Sequence, residues 1–149
     1  MRLYRYLFIA LLLSLAPFAA AEQLLMARVN MTFPEAMLKL QETIKQQGYT
    51  ISRVQRVDIG LTKSGYKTDK YRVVFFGKAE ETEQLTKKFP VLLPYFPLKI
   101  AIFAEGNDTL ITAYDPLLMF GESEPLLARA AQKWRSDLEV IFSTMREAE

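Results

Sequence analysis

Apolar positions at helical spacing first appear behind Thr32-Phe33-Pro34-Glu35, where Phe33, Met37, Leu40 and Ile44 recur with Ala36 beside them. Thr and Glu three residues apart, with Pro in the first turn, form a capping box. Gly48 after Gln47 fits the residue just past a helix end. The spacing therefore predicts a helix from Phe33 to Gln47, preceded by a short strand from Leu24 to Asn30. Beyond it, "YTISRVQRVDI" is β-branched, but Ile51, Val54, Val57 and Ile59 do not share one face. A bulge or an edge position accounts for such a slip. "GLTKSGYKTDK" reads as a polar loop, and "YRVVFFG" as a central strand covered on both faces, or nearly so. "KAEETEQLTKKFP" predicts about two helical turns, and Pro90, Pro94 and Pro97 then interrupt regular structure.

Leu98 to Ala104 alternates Leu98, Ile100 and Ile102 against Lys99, Ala101 and Phe103. "EGND" supplies a hairpin turn, and Thr109 to Asp115 returns. Ser123 is the expected cap of a last helix with Pro125 in its first turn. Leu127, Ala131, Trp134, Leu138, Ile141 and Met145 form its apolar stripe. The order is β-α-β-β-(short α)-β-β-α. Strands grouped between two helices predict an α+β domain, an antiparallel sheet with helices on one face.

The first residues stand outside this pattern. Arg2 and Arg5 precede an apolar run from Leu7 to Leu15, Pro17 breaks it, and Ala19-Ala20-Ala21 follows. That is the layout of a signal peptide over residues 1–21, with cleavage after Ala21. The run is too short to span a bilayer, which takes about 20 residues. The expectation is a bacterial periplasmic or secreted protein. Residues 22–149 would make one α+β domain with no stable membrane span after cleavage. Losing Arg2 and Arg5 cancels the excess of 19 basic over 17 acidic residues, so the charge points to no nucleic-acid partner. The chain has no Cys and no His. That excludes Cys nucleophiles, Ser-His-Asp triads, His-ligated metals and a histidine pH switch. No metal and no cofactor is expected.

Four segments at this spacing, "GYTISRVQRVD", "YRVVFFGK", "PLKIAIF" and "AYDP", resemble the bacterial family catalogued as domain of unknown function 302, over roughly residues 24–120. The resemblance implies a β-α-β4-α fold of the TATA-binding-protein class and no established reaction. The family pattern often carries Asp-His after the second strand and Phe-Gly-Asn-Pro after the third. Here those positions read Asp58-Ile59 and Phe76-Gly77-Lys78-Ala79, so any chemistry of that histidine is closed to this chain.

Candidate sites follow from residue type. Met37, Phe75, Phe103, Trp134 and Phe142, with Tyr114 beside the Asp-Pro corner, could line an apolar ligand pocket between sheet and last helix. The competing reading makes them core. Asp58, Lys99 and Asp115 are the polar candidates. Lys99 would be a nucleophile only if buried, and otherwise points outward. Asp115-Pro116 is explained as a strand stop with a local hydrogen bond. "GLTKSGYKT" misses a phosphate loop, because Tyr66 separates Gly65 from Lys67. Arg53, Arg56, Lys63, Lys67, Lys70 and Arg72 outnumber Asp58 and Asp69, giving either a solvated face or an anion-facing one. "FPVLLPYFPL" either tucks under the sheet or offers a partner surface. No catalytic residue is expected. The leading expectation is a non-enzymatic exported domain that binds a small apolar ligand. The alternative is an envelope-protein or self-assembly module, with a homodimer among its forms. A hydrolase or lyase using Lys and carboxylates is a third.

Overall fold

A computed structural model describes residues 24–148. The leader expected over residues 1–21 and its cleavage position Ala21 lie outside them. Five strands, β1 (Leu24–Val29), β2 (Thr50–Arg56), β3 (Tyr71–Gly77), β4 (Leu98–Glu105) and β5 (Asp108–Tyr114), form one antiparallel sheet in the order β1-β5-β4-β3-β2. β1 and β2 are the two edges, and helix α1 (Phe33–Gln46) crosses one sheet face between them. The other helices are α2 (Val57–Lys63), α3 (Ala79–Lys88), α4 (Pro116–Phe120) and the long α5 (Pro125–Glu147). The fold class is α+β, as the pattern predicts.

Local chemistry explains the boundaries. Thr32 donates from its N–H and its hydroxyl to the Glu35 carboxylate, at 3.1 and 2.6 Å, and so closes the start of α1. Gly48 takes a φ of +77°, which a side chain would disfavour, and turns the chain out of the helix. The imperfect alternation of β2 is a bulge between Ile51 and Arg53. Gly106, at φ +64°, makes the tight β4–β5 turn between Glu105 and Asp108.

Five expectations are corrected. Residues 57–63 are helical and shorten both β2 and the polar loop; the sequence mixes Val57, Ile59 and Leu61 with polar residues at no clear period. α3 runs ten residues rather than two turns. Asp115-Pro116 does more than stop β5, because it opens a further helix, α4. Glu124, not Ser123, is the cap position of α5. β3 is central but covered on one face only. Val74 and Phe76 are buried, while Tyr71, Val73 and Phe75 are partly exposed on the other face.

The core lies between sheet and helices. Ala36, Leu40 and Ile44 of α1 and Leu138, Ile141, Phe142 and Met145 of α5 meet Val29, Val74, Phe76, Ile100, Ile102 and Ile111. Each fully buried Val, Leu, Ile, Phe or Met side chain among them contributes about 1.5–3 kcal/mol. A second cluster joins Leu85, Leu92, Phe120, Leu127 and Ala131 around Trp134. The proline-rich stretch feeds it. Leu92 is buried and Phe96 meets Trp134 edge-on at 4.9 Å, whereas Val91 and Leu93 stay exposed.

Candidate functional site

Strand alternation sends Leu24, Met26, Val73, Phe75, Lys99, Ala101, Phe103, Leu110, Thr112 and Tyr114 to the sheet face opposite the core. Cross-strand pairing arranges them in rows. One row runs Leu24, Tyr114, Lys99, Phe75 and Arg53, with Lys99 reaching Tyr114 by continuing the Ala101–Thr112 register. The next runs Met26, Thr112, Ala101, Val73 and Gln55. A third runs Arg28, Leu110, Phe103 and Tyr71, and its two rings meet edge-on at 5.9 Å. Leu24, Met26 and Tyr114 are 41%, 44% and 51% exposed.

Small Ala101 and Thr112 between taller neighbours leave a groove of about 230 Å³, lined by Leu24, Tyr71, Val73, Lys99, Ala101, Thr112, Ala113 and Tyr114. Lys99 is its one charged lining residue. Thr112 Oγ1 is buried there and has no hydrogen-bond partner among the described residues.

The sheet divides the apolar residues singled out from the sequence. Phe75, Phe103 and Tyr114 belong to the open face, with Lys99. Trp134 and Phe142 are buried on the helix side, and Met37 packs there against the main core. A groove of about 620 Å³ between β1 and α5 is lined by residues including Met26, Arg135, Glu139, Phe142 and Arg146. The cavity beside Trp134, which Lys99 and Tyr114 also line with Phe96, Leu98 and Leu138, is about 30 Å³. That is room for one water.

The acidic candidates are engaged elsewhere. Asp115 is buried; its Oδ1 accepts the Leu117 N–H at 2.9 Å and the Leu118 N–H at 3.4 Å, capping α4, and its Oδ2 is ion-paired with Arg135. Asp58 is ion-paired with Arg72. The hydrogen bond from that guanidinium is the main reason its carboxyl sits below the usual carboxylate range. Lys99 and Tyr114 therefore share a groove without a carboxylate among its lining residues. Among the described residues no three His, Cys, Asp or Glu side chains group as a metal site, and no helix is long and apolar enough to cross a membrane.

Sequence reading missed Leu24, Val73, Ala101 and Thr112. The signal for them was the same alternation that exposes Lys99, but a small or β-branched residue in a strand has no chemistry of its own to single it out.

No curated protein matches the chain. A crystal structure of an uncharacterized conserved DUF302 protein from Bacillus stearothermophilus is similar in fold, with a TM-score of 0.75 at 19% identity, covering 85% of this chain and 100% of the other. The family model described as "Domain of unknown function DUF302" matches residues 26–145. With that span covering most of the polypeptide and the sheet-and-helix architecture in agreement, the chain belongs to the DUF302 family.

Proposed function

We propose that the protein is an exported binding module, not an enzyme, and that it holds a small amphiphile on the open face of its sheet. The observation that carries this reading is the groove around Thr112, with largely apolar walls and one amine, that of Lys99. Ligand sites commonly pair an apolar lining with a few fixed polar groups. Leu24, Val73 and Ala101 suit an aliphatic body. Lys99, with Arg53 two strands away in the same row, suits an anionic head such as a carboxylate. The open face is preferred to the cavity beside Trp134 because that cavity admits only a water, and to the groove between β1 and α5 because Arg135, Glu139 and Arg146 make that groove more strongly charged. Export rests on the leader pattern of residues 1–21.

Against catalysis stands the engagement of Asp58 and Asp115 in ion pairs away from Lys99 and Tyr114. The reading as an envelope-protein or self-assembly module loses part of its motive, since Leu92 is buried and Phe96 packs on Trp134. Titration with decanoate tests the proposal. Binding should weaken by roughly tenfold when Lys99→Ala removes the charge, the size of a charge-assisted hydrogen bond. Equal affinity in the variant would remove Lys99 from the site.

A further inference from the structure

Edge strand β1 bonds β5 on one side and has no strand on the other among the described residues. The β4–β5 turn fixes which of its backbone groups point past the edge. Glu105 and Asp108 flank a two-residue turn and so exchange both backbone hydrogen bonds. Bonded and unbonded pairs alternate from there. Thr109, Ile111 and Ala113 therefore turn to β1 and bond Val29, Ala27 and Leu25. Leu24, Met26 and Arg28 are left with their N–H and C=O groups aimed outward. The Met26 carbonyl agrees, because it accepts a hydrogen bond from Arg146 Nη2 of α5 at 3.2 Å.

Between this edge and α5 runs the groove of about 620 Å³, with Leu24, Met26, Val140 and Phe142 among its apolar walls. Its two cations are held differently. Arg135 is ion-paired with Asp115 and Glu139. Arg146 is exposed, has no carboxylate partner among the described residues, and spends its donor on the Met26 carbonyl. It stands where the N–H of an added strand would come. A charged side chain across an edge is a common guard against stray pairing.

We propose that β1 and α5 bind an extended peptide segment of a partner protein, apolar with one acidic residue, as a sixth strand of the sheet, and that its carboxylate draws Arg146 off the Met26 carbonyl. Charge selects the partner. A guanidinium bonds a carboxylate about twice as strongly as a neutral carbonyl, so an acidic segment opens the edge, whereas a neutral one must displace the guard unaided. Shape sets the rest. Leu24 to Arg28 is four strand steps, roughly 14 Å, which suits a partner strand of about five residues. Strand addition gains affinity from main-chain hydrogen bonds and specificity from alternate side chains. One set of those side chains would face α5, over Val140 and beside Arg146, and the other would lie next to Leu24 and Met26. The site shares Leu24 with the open-face groove but neither Lys99 nor Thr112, so it stands or falls separately from the amphiphile reading.

Titration of the purified protein with the end-blocked peptide Thr-Ile-Val-Glu-Val-Thr, up to about 2 mM, tests this by amide hydrogen exchange read by NMR. The Met26 and Arg28 amides should exchange roughly tenfold more slowly once about nine-tenths of the protein is bound. Those of Ala27 and Val29, already bonded to β5, should not change. The protein should prefer this peptide by roughly tenfold over one with Gln in place of Glu, the size of a charge-assisted hydrogen bond. Arg146→Met should bind the two equally. No added protection at Met26 and Arg28 at the highest concentration overturns the proposal, as does a preference for Glu that Arg146→Met leaves in place. A dimer of the peptide-free protein with Met26 already protected also overturns it, since a second copy would then fill the edge.

Discussion

Asp115 serves two partners at once. One carboxylate oxygen caps α4 and the other holds Arg135 of α5. Asp115→Ala removes the cap, worth about 1 kcal/mol, and leaves Arg135 without its buried partner. Arg135 keeps Glu139 at 2.7 Å and some contact with water, which moderates that loss. Urea unfolding should show a total loss of about 2–4 kcal/mol. Asp115→Asn keeps an acceptor for the cap and should lose about half as much. Equal losses in the two variants would contradict the double role. Tyr49 gives a pH signature. Burial first, then the bond to Asp137, raises its phenol above the ordinary tyrosine value. The folded state therefore favours the protonated phenol more than the unfolded state does. Its contribution is complete below about pH 10 and is lost as pH rises beyond it. Tyr49→Phe should flatten the fall of stability above pH 10, measured as urea midpoints across that range, and an unchanged slope would exclude Tyr49 as its source.

At the scale of elements, what was legible in the sequence depended on periodicity. α1 announced itself by a capping box, a stripe and a terminal glycine, and α5 by its stripe. β4 and β5 alternate cleanly, so their two faces could be assigned, and the slip in β2 betrayed a bulge. α2 and α4 left no such trace. A helix of five or seven residues has too few turns for a 3.6-residue period to repeat, and its formation depends on what it packs against. The groove was half legible: Lys99, Tyr114 and Phe103 stood out by type, but Phe75 and Phe142 could not be told to lie on opposite sides of a sheet without its register. The α4–α5 corner offers its own test. Gly121 has ordinary helical angles, φ −64° and ψ −26°, so the constraint there is space rather than backbone freedom. A Cβ would stand 2.4 Å from the Leu117 carbonyl oxygen. Gly121→Ala should therefore cost about 1–3 kcal/mol, as overpacking does, in urea unfolding followed by fluorescence of Trp134, the single tryptophan. Equal or greater stability in the variant would mean that the turn yields freely.

The whole molecule is two-faced. Helices α1 and α5 seal one side of the sheet around a continuous core, and the other side stays open with apolar residues in register. An exposed apolar patch of this kind marks a binding surface more often than a neutral one. Edge β2 is guarded by its bulge and by Arg53 and Arg56, whereas β1 carries Leu24 and Met26 outward next to the groove. The account places function on that open face, and amide chemical shifts during a decanoate titration test this most directly. The predicted result is a set of saturable shifts centred on Val73, Lys99, Ala101, Thr112 and Tyr114, with α1 and the buried stripe of α5 unmoved. Shifts confined to the helix side, or none at decanoate concentrations below its micelle point, would contradict it.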